Sequence, residues 1–161
     1  MKREILETVT KIHAFFKKRD LTLSAAESCT GGLVSHYLTS LPGASAFFIS
    51  GIIAYSEAIK KDVLCVSPET ILKYGVVSEE TAREMAEKVR ILSKSDYGVS
   101  TTGNLGPDVL EGKEKGLAYI SASREGKTVS RELKLKGDRE ANKEEAALAA
   151  LRLLVELADF N

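Results

Sequence analysis

Little in this sequence announces a function by abundance. It holds two cysteines, two histidines and three prolines among 161 residues, and its 23 lysines and arginines cancel its 23 aspartates and glutamates. Each scarcity closes off a class. Cys29 and Cys65 stand far apart in different kinds of element, with no Cys-x-x-Cys and no Cys/His spacing, so they read as free thiols. His13 and His36 match no metal-site pattern with each other or with the cysteines, so no metal and no other cofactor is expected. The balanced charge excludes a dominant, sequence-independent attraction to nucleic acid. No uninterrupted apolar run is long enough to span a bilayer, and Glu7, Lys11 and Lys17-Lys18-Arg19-Asp20 break up the stretch where a signal-peptide core would lie. The chain reads as cytoplasmic, with no membrane partner. Its apolar fraction of 43% and the absence of repeats or low-complexity tracts fit one globular domain over 1–161, large enough to bury a full core.

Periodicity supplies the elements. Ile5, Val9, Ile12, Phe15 and Phe16 recur every three to four residues, which predicts an amphipathic helix from about Arg3 to Lys18. A strand from Leu21 to Ala26 runs into the polar turn Glu27 to Gly32, and a helix begins at Leu33 and stops before Leu41-Pro42-Gly43. Ala46 to Tyr55 is almost continuously apolar and rich in aromatic and β-branched residues, which predicts a strand buried on both faces, with Gly51 marking a bulge or a close approach. Three short helices follow, opening at Ser56, at Ser67-Pro68 and at Ser78. Asp96 to Thr102 reads as a strand, Leu117 to Arg124 and Thr128 to Leu135 as a hairpin turning at Glu125-Gly126-Lys127, and Glu140 to Leu157 as the last helix. Parallel strands need crossover helices and the late hairpin is antiparallel. The expected fold is therefore α/β, a three-layer α/β/α sandwich with a mixed sheet.

Polar turns at the ends of three expected strands are the places to look for chemistry: Glu27 to Gly32, Tyr55 to Lys60 and Thr101 to Asp108, with Gly137 to Arg139 at a helix start as a fourth. Two readings of the first are open. Ser28 or Thr30 caps the helix and the glycines ease a turn, or the helix-start N–H groups receive an anion or an oxyanion. None of these turns contains a histidine, but a serine can be activated by a lysine desolvated enough to lose its proton near neutrality, and Lys60 is the candidate. Against that stands the plainer reading, in which Lys60 and Lys61 form a solvated face and Tyr55 is a core aromatic.

Ala-Glu-Ser-Cys-Thr-Gly-Gly at 26–32, Gly51-x-x-x-Tyr55-Ser56 with Lys60, Thr102-Gly103-x-x-Gly106-Pro107 and Gly137-Asp138-Arg139 together resemble the CinA C-terminal domain family, whose single-domain members include nicotinamide-nucleotide amidases. The resemblance covers nearly the whole chain. It implies a metal-free hydrolysis of nicotinamide mononucleotide to nicotinate mononucleotide and ammonia, with Ser28 as nucleophile, Lys60 as general base and Tyr55 as a hydrogen-bonding partner between them. It further implies that Thr30, Gly31 and Gly32 supply turn geometry and N–H donors, that Thr102 and Gly103 line the nucleotide pocket, that Arg139 pairs with the phosphate, and that the protein is a homodimer. The stretch Asn104 to Gly116, Glu57 and Asn142-Lys143-Glu144 depart from the family's usual pattern. Two alternatives stay beside the amidase: a nucleotide-binding or regulatory protein without turnover, and a hydrolase of a different amide.

Overall fold

The computed structural model describes residues 1–158, so the last three residues of the expected 1–161 domain lie outside it. Helix α1, Arg3–Arg19, turns Ile5, Val9, Ile12 and Phe16 to the interior and ends at Asp20, whose left-handed backbone (φ 53°) redirects the chain into the sheet. Five strands follow: β1 (Leu23–Glu27), β2 (Phe48–Ile53), β3 (Tyr97–Gly103), β4 (Leu117–Arg124) and β5 (Lys127–Lys134). They form one sheet in the order β2-β1-β3-β4-β5. β1 runs parallel to both β2 and β3, and the β3–β4 and β4–β5 pairs are antiparallel, so the sheet is mixed.

One face of the sheet is covered by α1, by α2 (Leu33–Thr39) and by α6 (Arg139–Ala158), around a core that includes Phe16, Leu23, Leu38, Phe47, Ile120 and Leu151. The other face carries α4 (Pro68–Tyr74) and α5 (Glu79–Ser93) over Ala26, Leu64, Ile71, Met85 and Val89. Three layers result. His13 is buried in the first of these cores, where its ring donates to the Leu38 carbonyl at 2.8 Å and meets Phe47 edge-on, which is packing work. Among the described residues, no group of three or more His, Cys, Asp or Glu side chains is placed to hold a metal ion, and no helix is long and apolar enough to cross a membrane.

One strand departs from its expected environment. β2 is an edge strand whose residues alternate between partly covered and exposed, with Ile49 and Ile53 about half open to solvent. A continuous apolar run suits a strand covered on both faces, but strand order decides coverage, and among the described strands only β1 lies beside β2. Gly51 is a close approach: a Cβ there would collide with Ser35 Oγ of α2. Register carries the functional consequence. Glu27 pairs with Ile53 on one side and Thr101 on the other, so the carboxyl ends of three parallel strands finish side by side.

Candidate active site

The turn after β1 is organised by a buried carboxylate. Glu27, with no solvent exposure, accepts the Thr30 hydroxyl (2.6 Å) and the Gly32 (3.2 Å) and Val34 (2.9 Å) amides on Oε1. Its Oε2 accepts the Ser35 amide (2.9 Å) and hydroxyl (2.7 Å). A helix start leaves N–H groups unpaired and favours negative charge, and Glu27 meets both demands from within the chain. The donors of Thr30, Gly31 and Gly32 are thus taken up within the turn. Thr30 and Gly32 are bonded to Glu27, Gly31 donates to the Ser28 carbonyl at 3.0 Å, and none of the three lines the cleft that Ser28 faces. Gly31 (φ 59°) and Gly32 (φ 104°) supply the backbone geometry a side chain would strain.

Ser28 is thereby held over β3, its own amide donating to the Thr101 carbonyl at 3.0 Å. Facing it is Lys60 on α3 (Glu57–Asp62), a helix capped by Ser56, whose hydroxyl accepts the Ile59 amide. Lys60 is only 1% exposed, so it belongs to the interior and not to a solvated face. Its Nζ lies 2.8 Å from Ser28 Oγ, 2.8 Å from the Ala54 carbonyl and 3.2 Å from the Tyr55 carbonyl. Carbonyls can only accept. In the neutral amine two N–H bonds are therefore spoken for, and the lone pair is left pointing at the serine hydroxyl. Burial lowers the Lys60 ammonium from its ordinary 10.5 to about 8, a shift that its neighbours Cys29, Glu111 and Glu57 oppose. At pH 7 about a tenth of Lys60 is then free base.

Cys29, adjacent to the serine, is the opposite case: burial pushes its thiol up to about 12, so it stays protonated and is a weak nucleophile beside Ser28. Tyr55 is placed differently from expectation. Its ring is 59% exposed and its phenol oxygen accepts from Arg139 Nη2 at 2.9 Å; what meets Lys60 is its backbone carbonyl, not the phenol. Arg139, the first residue of α6 after the Asp138 cap, also donates to the Gly106 carbonyl at 2.6 Å, bridging two rims of the cleft. The cleft encloses about 140 Å³. Ser28, Cys29 and Lys60 make one side and Thr102, Gly103 and Asn104 another, with Tyr55 and Arg139 at the mouth. Thr102 lines it with its hydroxyl already donated to the Val76 carbonyl at 2.6 Å, and Gly103 is glycine because a Cβ would sit 2.6 Å from that of Ala118.

Several contributors lay outside the sequence reading. Val76, Val77 and Leu110 join Leu105, from the Thr101 to Asp108 turn, to complete the cleft as an apolar wall. Fully buried Asn142 ties Leu105 to the Gly137 turn, donating to the Leu105 carbonyl (3.3 Å) and accepting the Gly137 amide (2.8 Å). Glu27 had a signal, an acid just ahead of a Ser-x-Thr turn and a helix start. The apolar wall had none, because only folding brings Val76-Val77 beside the loop that carries Leu105 and Leu110.

Comparison with known proteins agrees with this architecture. The family model for the CinA C-terminal domain matches residues 6–158. A "putative competence-damage inducible protein" of Caldanaerobacter subterraneus subsp. tengcongensis is 43% identical over 152 residues, 94% of this chain and 36% of the relative. A "CinA-like protein" of Cytophaga hutchinsonii is 45% identical over 139 residues, 86% of this chain and 33% of the relative. The chain thus spans about a third of the length of the curated relatives it matches. The crystal structure of a competence/damage inducible protein from Agrobacterium tumefaciens superposes with a TM-score of 0.94 at 31% identity, covering 98% of this chain and 97% of that one. A CinA superfamily protein from Enterobacter cloacae gives 0.92 at 31% identity, covering 96% and 92%.

Proposed function

This chain belongs to the CinA C-terminal domain family, and from that premise we propose that it is an amidohydrolase converting nicotinamide mononucleotide to nicotinate mononucleotide and ammonia through Ser28 and Lys60. The observation that carries the reading is the 2.8 Å contact between Ser28 Oγ and a buried Lys60 Nζ whose remaining directions are taken by two carbonyls. Such an arrangement aims a base at a nucleophile, and a protein that only binds has no use for it.

In the reaction so read, neutral Lys60 takes the Ser28 proton as Oγ attacks the carboxamide carbon. The tetrahedral intermediate collapses when Lys60 returns that proton to the departing nitrogen, which leaves as ammonia and leaves an ester on Ser28. Water, deprotonated by the same lysine, attacks the ester, and the acid departs as Ser28 regains its proton. Arg139, two of whose five N–H donors are engaged in the bonds to Gly106 and Tyr55, stands at the mouth, where a substrate phosphate would pair with it. The same reading carries a single domain, a cytoplasmic setting and a homodimer, the last supported by the free edge of β2.

Ammonia release from nicotinamide mononucleotide by the purified chain tests the proposal, with Ser28→Ala and Lys60→Ala as controls. Release abolished by Ser28→Ala and reduced by about a hundredfold or more by Lys60→Ala is the expected result, the range for loss of a general base. A folded wild type that releases none sinks the substrate assignment. Ammonia release that survives Ser28→Ala sinks the nucleophile.

A further inference from the structure

The segment 104–116 crosses from the end of β3 to the start of β4 and supplies Asn104, Leu105 and Leu110 to the cleft. Its root is held by burial, Leu105 being 2% exposed, but its tip is not: Val109 and Leu110 are 66% and 46% exposed. What pins the tip is polar. Glu111 Oε1 accepts the Val76 and Val77 amides at 3.0 Å each, and Oε2 accepts Val76 again at 3.2 Å. Lys113 Nζ donates to the Tyr74 carbonyl at 2.8 Å and to the Val77 carbonyl. Val76 and Val77 are themselves a wall of the cleft, so these bonds draw its two sides together. At about 140 Å³ the cleft, open at the mouth where Tyr55 and Arg139 stand, is well short of the roughly 300 Å³ at which pockets for drug-sized ligands begin, so a nucleotide seated wholly within it needs a wall to move.

We propose that Glu111 is a positioning residue of the Ser28–Lys60 site, latching residues 104–116 shut over the cleft until its release admits the substrate. The proposal rests on the reading of Ser28 and Lys60 as the reactive pair. Charge couples the latch to the base. The groups that face Lys60 are Ser28 and Cys29 from the turn after β1, Glu57 from its own helix, Glu111 from the loop and Arg139 across the cleft; Lys113 neighbours Glu111. The Glu111 carboxylate holds the Lys60 proton on, so carrying it away favours the free base. Opening the loop therefore readies Lys60 as it clears the way to Ser28.

Two measurements on the full chain test this. The first is hydrogen exchange at the Val76 and Val77 amides in wild type, Glu111→Ala and Glu111→Gln. The second is the pH dependence of Ser28 modification by a small dialkyl fluorophosphate. There the Ser28 Oγ–P bond forms, P–F breaks, fluoride leaves and Lys60 takes the hydroxyl proton. Glu111→Ala should speed exchange at both amides about tenfold or more, the effect of losing a charge-assisted acceptor, and should speed Ser28 modification. Glu111→Gln keeps a carbonyl oxygen for the two amides but no charge; it should leave them protected and move the midpoint of the pH–rate curve downward. Exchange unchanged in Glu111→Ala, or a midpoint unmoved in Glu111→Gln, overturns the proposal. A wild type whose Ser28 is not modified at all overturns the reactive pair instead, and the Val76 and Val77 exchange rates then decide the latch alone.

Discussion

Lys60 is where burial and chemistry pull against each other. A lysine 1% exposed, lowered to about 8 from 10.5, is held in the fold at a cost whenever it is charged. The cost has a pH signature. Below about 8 the folded and unfolded chains both hold the proton; between 8 and 10.5 only the unfolded chain does, so the folded state gains stability as pH rises through that window and no further above it. Replacing Lys60 with methionine removes the titrating group. The wild type should therefore gain on Lys60→Met by about 3 kcal/mol in all between pH 8 and 10.5, measured by urea unfolding at each pH. A difference that stays flat across the window would show that Lys60 is not desolvated as the geometry requires. The same proton governs reactivity, since Ser28 can be deprotonated only by the neutral amine.

At the scale of elements, α2 shows how one side chain positions a site. It has seven residues, too few to persist on propensity alone, and it is anchored by Glu27 accepting five hydrogen bonds at its N-terminus. Glu27→Gln keeps one carbonyl oxygen and turns an NH₂ donor toward either Ser35 or the Thr30–Val34 side, where donors already point. Its expected cost is about 1–3 kcal/mol, seen as a lower urea midpoint, with Ser28 displaced and turnover reduced. An unchanged midpoint would mean that the carboxylate is not what holds the turn.

The same elements show what the sequence made legible. α1 and α5 are visible because amphipathic helices display their period in three to four consecutive turns, and the β4–β5 hairpin because Gly126 (φ 77°) marks its two-residue turn. Ser28 and Lys60 could be named as candidates because each ends a strand-and-turn pattern. Their proximity was implied by the family resemblance but not by the residue pattern, since strand order alone brings the ends of β1 and β2 together. The direction of the Tyr55 ring and the exposure of β2 were hidden for the same reason. Glu111 and Lys113 were out of reach, because their partners lie 34 to 39 residues away and the contacts are with backbone, which leaves no mark on residue type.

For the whole molecule, β2 leaves one side of the sheet open. An edge strand presents unpaired N–H and C=O groups, and proteins ordinarily blunt such edges with charge, proline or a bulge. β2 slips register by one residue at Ile49, between its pairings with Leu23 and Ser24, but has no charged residue and no proline among Phe48–Ile53, and Ile49 and Ile53 on its exposed face are 51% and 52% accessible. Tyr55 (59%), Ile59 (38%) and Val63 (40%) continue the exposed apolar side chains into the turn and α3. A second copy satisfies all of these at once. A two-fold axis beside β2 would pair the strand with itself, necessarily antiparallel, and would bury the isoleucines of both copies. The homodimer in the functional reading then has a specific prediction: the wild type should sediment as a dimer at tens of micromolar, and Ile53→Asp, which puts a charge into each copy's half of an apolar self-paired face, should sediment as a folded monomer. A monomeric wild type at that concentration removes the dimer, and a dimeric Ile53→Asp moves the interface elsewhere. Because Tyr55 lies two residues past the end of β2 and bonds Arg139 at the cleft mouth, dimerisation through this edge would also stiffen the rim that a substrate phosphate must approach. Ile53→Asp should in that case raise KM more than it lowers kcat, since the Ser28–Lys60 contact lies beneath the rim and is made within one chain.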